Sequence, residues 1–200
     1  MTKKEEYAII LDYLPYGYPL EKNMVPVVQA IGKKNFVLLQ IIPRKGCKFE
    51  LKEEAYIGDG KREKVLYIGG RLLREKLTET AKAQLREIIQ EMVEKDEERF
   101  VDFFNQAASI NTRLHQFELL PGFGKKHTTA IINERENGNF ESFADIKKRV
   151  PNIPEPQKAI EKRINEELTE IKRINLFINL SLCYHYKVIF LSHKIKQYNP

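Results

Sequence analysis

Between Leu119 and Phe140 the chain reads LLPGFGKKHTTAIINERENGNF, with Gly122 and Gly124 flanking Phe123, and Lys125 and Lys126 directly behind. The spacing of Thr128, Ile131, Ile132 and Arg135 predicts a helix that starts at the lysines, and Asn137-Gly138 predicts its stop. A helix start exposes unpaired backbone N–H groups at the positive end of the macrodipole, which is chemistry suited to an anion, phosphate above all. Glycines remove the Cβ atoms that would hold a phosphate away. Phe123 fills the core and fixes the turn, and the two lysines add charge at the same place. Gly122, Phe123, Gly124, Lys125 and Lys126 are therefore the first candidate binding site. A glycine-flanked turn between helices also arises from packing alone, and a helix pair also serves as a protein-interaction module.

A second candidate surface is GDGKREKVLYIGGRLLREK, where Lys61, Arg62, Lys64, Arg71, Arg74 and Lys76 face only Asp59, Glu63 and Glu75. Tyr56 and Tyr67 lie beside these charges, and single-strand binders combine a basic groove with stacking aromatics. Tyrosines in strands also pack within the sheet. Tyr13, Tyr16 and Tyr18 in DYLPYGYP read first as packed rings around a Pro-Gly turn and second as a stacking platform. The stretch RVPNIPEPQKAIEKRINEEL has the length of a second helical hairpin, with Ile160, Ile164 and Leu168 on one face. Its prolines remove the N–H groups a phosphate would need, so this half reads as structural, with Lys158, Lys162 and Arg163 on a solvated face.

Catalytic signatures are missing: there is no Walker loop, dinucleotide fingerprint or nucleophile elbow. His115, His127, His185 and His193 show no zinc-ligand spacing, and Cys183 with His185 lacks two further ligands. His115 reads as a packed helix residue. No enzyme activity, metal or cofactor is expected.

The elements that must position these groups fall into four pieces. Residues 1–77 are β-like: YAIILDYL, FVLLQIIP, EEAYIGDG and KVLYIGG are short apolar runs bounded by Gly and Pro, at a spacing that predicts a small barrel or curled sheet. Residues 78–108 are helical, with Leu85, Ile88, Ile89, Met92 and Val93 in helical period and Phe100, Val101, Phe103 and Phe104 continuing the apolar face. Residues 109–168 are short helices separated by turns: TRLHQFELL reads as one, with Leu114, Phe117 and Leu120 inward, and SFADIKKRV as another, capped by Ser142. Residues 169–200 form a tail with no acidic residue after Glu170. It reads as dispensable for folding, and its apolar run is broken by Asn179, His185 and Lys187, which argues against a membrane span.

A formal net charge of +6 and a pI near 9.1 tilt the chain mildly toward polyanionic partners. Two distant cysteines, Cys47 and Cys183, predict no disulfide framework, and the charged start MTKKEEYAIILDYLP lacks the apolar stretch of a signal peptide. A reducing cytoplasm is the expected compartment.

The run from Leu120 to Val150 resembles the helix-hairpin-helix family: a Leu-Pro-Gly-apolar-Gly hairpin, a helix with an arginine at its end, then Gly, Phe and a third helix. That resemblance implies contact with the nucleic-acid backbone without sequence readout. Some base-excision glycosylases place a lysine nucleophile after a similar hairpin with an aspartate further on. Lys125 or Lys126 with Asp145 superficially fits, but Asp145 falls in a helix start and no second lobe is available. More of the chain, from about Glu5 to Leu168, is similar to the archaeal DUF655 family through YAIILDYLPYGYP, AYIGDGKREKV and EERFVDFFNQAASINTRLHQFELLPGFGKK. This similarity implies an OB-like β-barrel joined to a helix-hairpin-helix domain, with RNA as the partner; together with the residues read above, the expectation is an α+β protein, its two domains joined by a long helix, that binds RNA without catalysis. DNA binding of the repair or recombination type and a protein-interaction adaptor are the alternatives.

Overall fold

A computed structural model describes residues 5–19, 24–170 and 172–179. These divide into two compact units, one running to Lys82 and the other from Ala83 to Ile178.

In the first unit, strands β1 (Tyr7–Leu14), β2 (Val27–Gly32), β3 (Leu38–Pro43), β4 (Glu54–Tyr56) and β5 (Val65–Arg71) form one antiparallel sheet in the order β4-β1-β2-β3-β5. The sheet curls into a half-barrel, so β4 and β5 remain as edges. The two-residue period of a strand puts Ala8, Ile10, Val28, Ala30, Leu39, Ile41, Ala55 and Val65 into one buried cluster with Phe49 and Ile57. The central strand β2 is buried at every position, which is why it shows no alternation.

A polar row crosses the sheet away from that cluster. A bulge in β1 brings Asp12 opposite Gln29, which pairs in turn with Gln40, and Gln40 with Gly70. Gln29 is fully buried. Its amide donates to the Lys76 carbonyl (3.0 Å) and the Tyr18 hydroxyl (3.2 Å), and its carbonyl accepts from the Thr78 N–H (2.9 Å). The Thr78 hydroxyl donates to Asp12 and accepts from the Ala81 N–H, capping helix α1 (Glu79–Lys95). A buried amide with its partners in place fixes where that helix begins.

The second unit contains the rest of α1, α2 (Glu97–Gln106), a hairpin of β6 (Ser109–Asn111) and β7 (Leu114–His115), α3 (Lys125–Arg135), α4 (Phe143–Arg149) and α5 (Pro156–Thr169). Its core is aromatic. Phe104 stacks on Phe117 at 5.3 Å, and Phe177 meets Phe103 at 5.3 Å and Phe100 at 5.6 Å, both edge-on.

Three readings of the sequence are corrected here. The stretch TRLHQFELL is a hairpin followed by a 3-10 turn at Gln116–Leu119, not an α-helix. The Asn111 side chain accepts the Arg113 N–H (2.8 Å) to make the hairpin turn, and Pro121 disfavours helical backbone at Leu120, so an i, i+3 spacing is satisfied by a tighter turn. His115 is packed, as expected, but it caps that turn by accepting the Phe117 N–H (3.2 Å). Burial, and then the nearby Arg135 charge, push its pKa below the ordinary histidine value.

Arg163 is not on a solvated face. It is 6 % exposed and donates to the Glu167 carboxylate (2.8 Å) and the Ile174 carbonyl (2.6 Å). Glu167 accepts the N–H groups of Leu176 (2.7 Å), Phe177 (3.1 Å) and Ile178 (3.0 Å). The beginning of the supposed tail is therefore core: Phe177 and Ile178 are buried. The later tail, with Cys183, His185 and His193, lies outside the described residues.

Candidate nucleic-acid interface

The two glycines of PGFG do different jobs. Gly122 has φ +86°, the left-handed region that favours glycine, and a Cβ there would sit 3.2 Å from the Pro154 ring. The fold itself explains it. The Pro154 turn, read as the structural half, packs against this one. Gly124 is the N-cap of α3, with extended backbone (φ −122°, ψ −178°) that any residue adopts, and a Cβ there would meet nothing within 4 Å. Among the described residues nothing requires glycine at 124.

Phe123 anchors the turn and does not face outward. It is buried, 6.1 Å from the Phe104 ring and 5.9 Å from His127, and its N–H donates to the Leu120 carbonyl (3.0 Å). The Gly124 N–H donates to His127 Nδ1 (3.3 Å), and the first helical bond of α3 runs from the Thr128 N–H to the Gly124 carbonyl (3.0 Å). The N–H groups of Lys125, Lys126 and His127 have no acceptor among the described residues. Both lysines are exposed, and the first turn carries no acidic side chain. Helix dipole and open donors coincide at this helix start, and both lysines lie in its first turn.

The rest of the motif holds this start in place. Arg135 donates to the carbonyls of Phe104, Asn105 and Ala107 (3.2, 2.9 and 2.9 Å), capping the end of α2. Arg149 gathers the far end of α3: it reaches the Glu134 carboxylate (3.0 Å) and the carbonyls of Glu134 (2.7 Å) and Gly138 (2.9 Å), stacked on the Phe140 ring at 4.5 Å. Asp145 is committed to Arg149 (3.4 Å) and the Glu141 N–H (3.2 Å).

The basic strip of the first unit is partly spent internally. Lys64 pairs with Glu53 (2.5 Å), and that bond raises its pKa above the ordinary lysine value. Arg62 donates through Nε to the Gly58 carbonyl (2.7 Å). Lys61 is exposed. Tyr56 is held in the Gly-Asp-Gly turn: its hydroxyl accepts the Gly60 N–H (3.0 Å), and a Cβ on Gly58 would fall 2.5 Å from its oxygen. Tyr13 packs on Phe49 and Tyr18 joins the polar row, leaving Tyr16 and Tyr67 exposed. Arg44 is a neighbour that sequence reasoning passed over. Its N–H donates to the Lys64 carbonyl (2.8 Å) and its Nε to the Arg62 carbonyl (3.1 Å). The available signal was the turn PRKGC, in which Gly46 has φ +82° and Cys47 bonds back to Arg44.

Among the described residues no three His, Cys, Asp or Glu side chains group as a metal site, and no helix is long and apolar enough to cross a membrane.

Residues 4–179 match the model of a family described as protein of unknown function, DUF655. The chain is 44 % identical over 176 residues to the uncharacterized protein MJ0038 of Methanocaldococcus jannaschii, covering 88 % of this chain and 80 % of that one. It is also similar to the crystal structure of Af1531 from Archaeoglobus fulgidus, with TM-score 0.78 and 44 % identity over 88 % of this chain and 100 % of the other.

Proposed function

The chain belongs to the DUF655 family, whose function is unknown, and from that premise we propose that it binds nucleic acid, RNA in preference to DNA, without catalysis. The contact is the phosphate backbone at the start of α3, in a helix-hairpin-helix arrangement, with an OB-like half-barrel as the companion unit. One observation carries this reading: an N-cap glycine that no described residue requires, in front of N–H groups without an acceptor among the described residues and two exposed lysines. Ser, Asp and Asn are the preferred N-caps because their side chains occupy those donors. Glycine leaves the donors open to an outside acceptor. The engagement of Asp145 with Arg149 supports a structural rather than a lyase role for it.

The test follows from the capping chemistry. Gly124→Asp places a carboxylate on the open donors, so the helix is at least as well capped while a phosphate is repelled. In fluorescence anisotropy, affinity for single-stranded RNA falls about tenfold, the scale of a lost charge-assisted hydrogen bond. The loss is the same for unrelated sequences, because phosphates carry no sequence information. Duplex DNA measured alongside ranks the two nucleic acids. A well-folded Gly124→Asp protein that binds like the parent makes the turn a packing device.

A further inference from the structure

Resting on that reading, we infer that the cleft between the two open edges of the first unit's sheet seats an unpaired base of a single strand. The half-barrel leaves β4 and β5 unjoined. A cleft of about 380 Å³ opens there, lined by Tyr7 and Tyr56 together with Lys61 and Lys64. That volume lies within the range of small-molecule sites, roughly 300–1,000 Å³. Tyr56 is immobilised by the Gly58–Gly60 turn, and Tyr7 rests edge-on against it at 5.3 Å. Tyr7 is nevertheless 42 % exposed, an aromatic ring on a paired strand with the Lys33 ammonium 6.0 Å from its centroid and part of its surface open to solvent.

Charge decides what enters. Glu53, Glu54 and Glu63 also line the cleft, three carboxylates against two ammonium groups. Glu53 is paired with Lys64 and Glu54 with Lys33. A phosphate gains nothing from such a lining, whereas a neutral flat ring can stack on tyrosine and meet both donors and acceptors. Cations lie beside the cleft: Arg44 is hydrogen-bonded to the backbone of Arg62 and Lys64, and Lys45 is exposed on the same turn. The strand's phosphates belong there, with its base inside. A base held in a duplex is stacked and paired and cannot enter.

The experiment compares a short oligouridylate with an abasic ribose-phosphate strand of equal length, which has the same charge and no bases. The parent protein binds the uridylate about tenfold more tightly, the scale of one base–aromatic stack. Tyr7→Val, which keeps strand propensity, removes that preference and leaves abasic binding unchanged, with melting curves confirming the fold. Gly124→Asp weakens both strands in proportion and keeps the ratio. Equal binding of the two strands by the parent, or a preference that survives in Tyr7→Val, overturns the cleft and leaves the phosphate reading standing. If neither strand binds, both readings fall.

Discussion

At the residue scale, Gly122 and Gly124 are chemically identical and physically unlike. Gly122 is held at positive φ under Pro154, so Gly122→Ala destabilises the protein by about 1–2 kcal/mol, the cost of a left-handed conformation for an L-residue. Gly124→Asn supplies a side-chain cap in an unstrained backbone and leaves stability unchanged or raised. Chemical denaturation of the two variants checks this; equal losses would mean that Gly124 is also structural. The sequence announced both glycines but could not separate them. The distinction lies in φ and in Pro154, a residue far along the chain. The same applies to Arg135 and Arg149, cations by composition that the structure spends on backbone carbonyls. Arg44 shows the reverse: a basic turn and a basic loop, separate in the sequence, are brought together by one backbone hydrogen bond and one from the Arg44 side chain.

At the scale of elements, apolar runs and helical period were the legible signals. The short apolar runs bounded by Gly and Pro gave β1, β3, β4 and β5, and the helical period gave α1 and α2. β2 escaped because VVQAIG, with a central Gln29 and a closing Gly32, is not a continuous apolar run, although it is buried at every position. TRLHQFELL was misread because apolar residues three apart fit a 3-10 turn as well as a helix. The segment 174–178 carries no period at all. It is held by Glu167, whose carboxylate takes three of its N–H groups, and by Arg163. Truncation after Leu168 therefore strips Phe177 from the aromatic core and leaves the Arg163–Glu167 pair without its other partners. Glu167→Ala alone leaves Arg163 buried and uncompensated, at a cost of about 3–5 kcal/mol. Thermal melting that showed either variant as stable as the parent would return this segment to a dispensable tail.

At the scale of the whole molecule, each unit carries one proposed contact: phosphate donors in the second, a base cleft and its cations in the first. Both are loops or edges set by rigid elements, α3 clamped at its far end by Arg149 and the cleft framed by paired strands. A mild excess of positive charge suits such division, since it attracts a strand without specifying it. The α+β class was legible from composition shifts along the chain. The open seam was not, because whether a sheet closes depends on pairing between β4 and β5, which no local pattern encodes. Amide NMR reads the backbone at the start of α3 directly. Titrating the isotope-labelled protein with single-stranded RNA should move the amide signals of Lys125, Lys126 and His127 most within the second unit, with Gly124 among them. Signals there that stay fixed while RNA binds and shifts others would contradict the account.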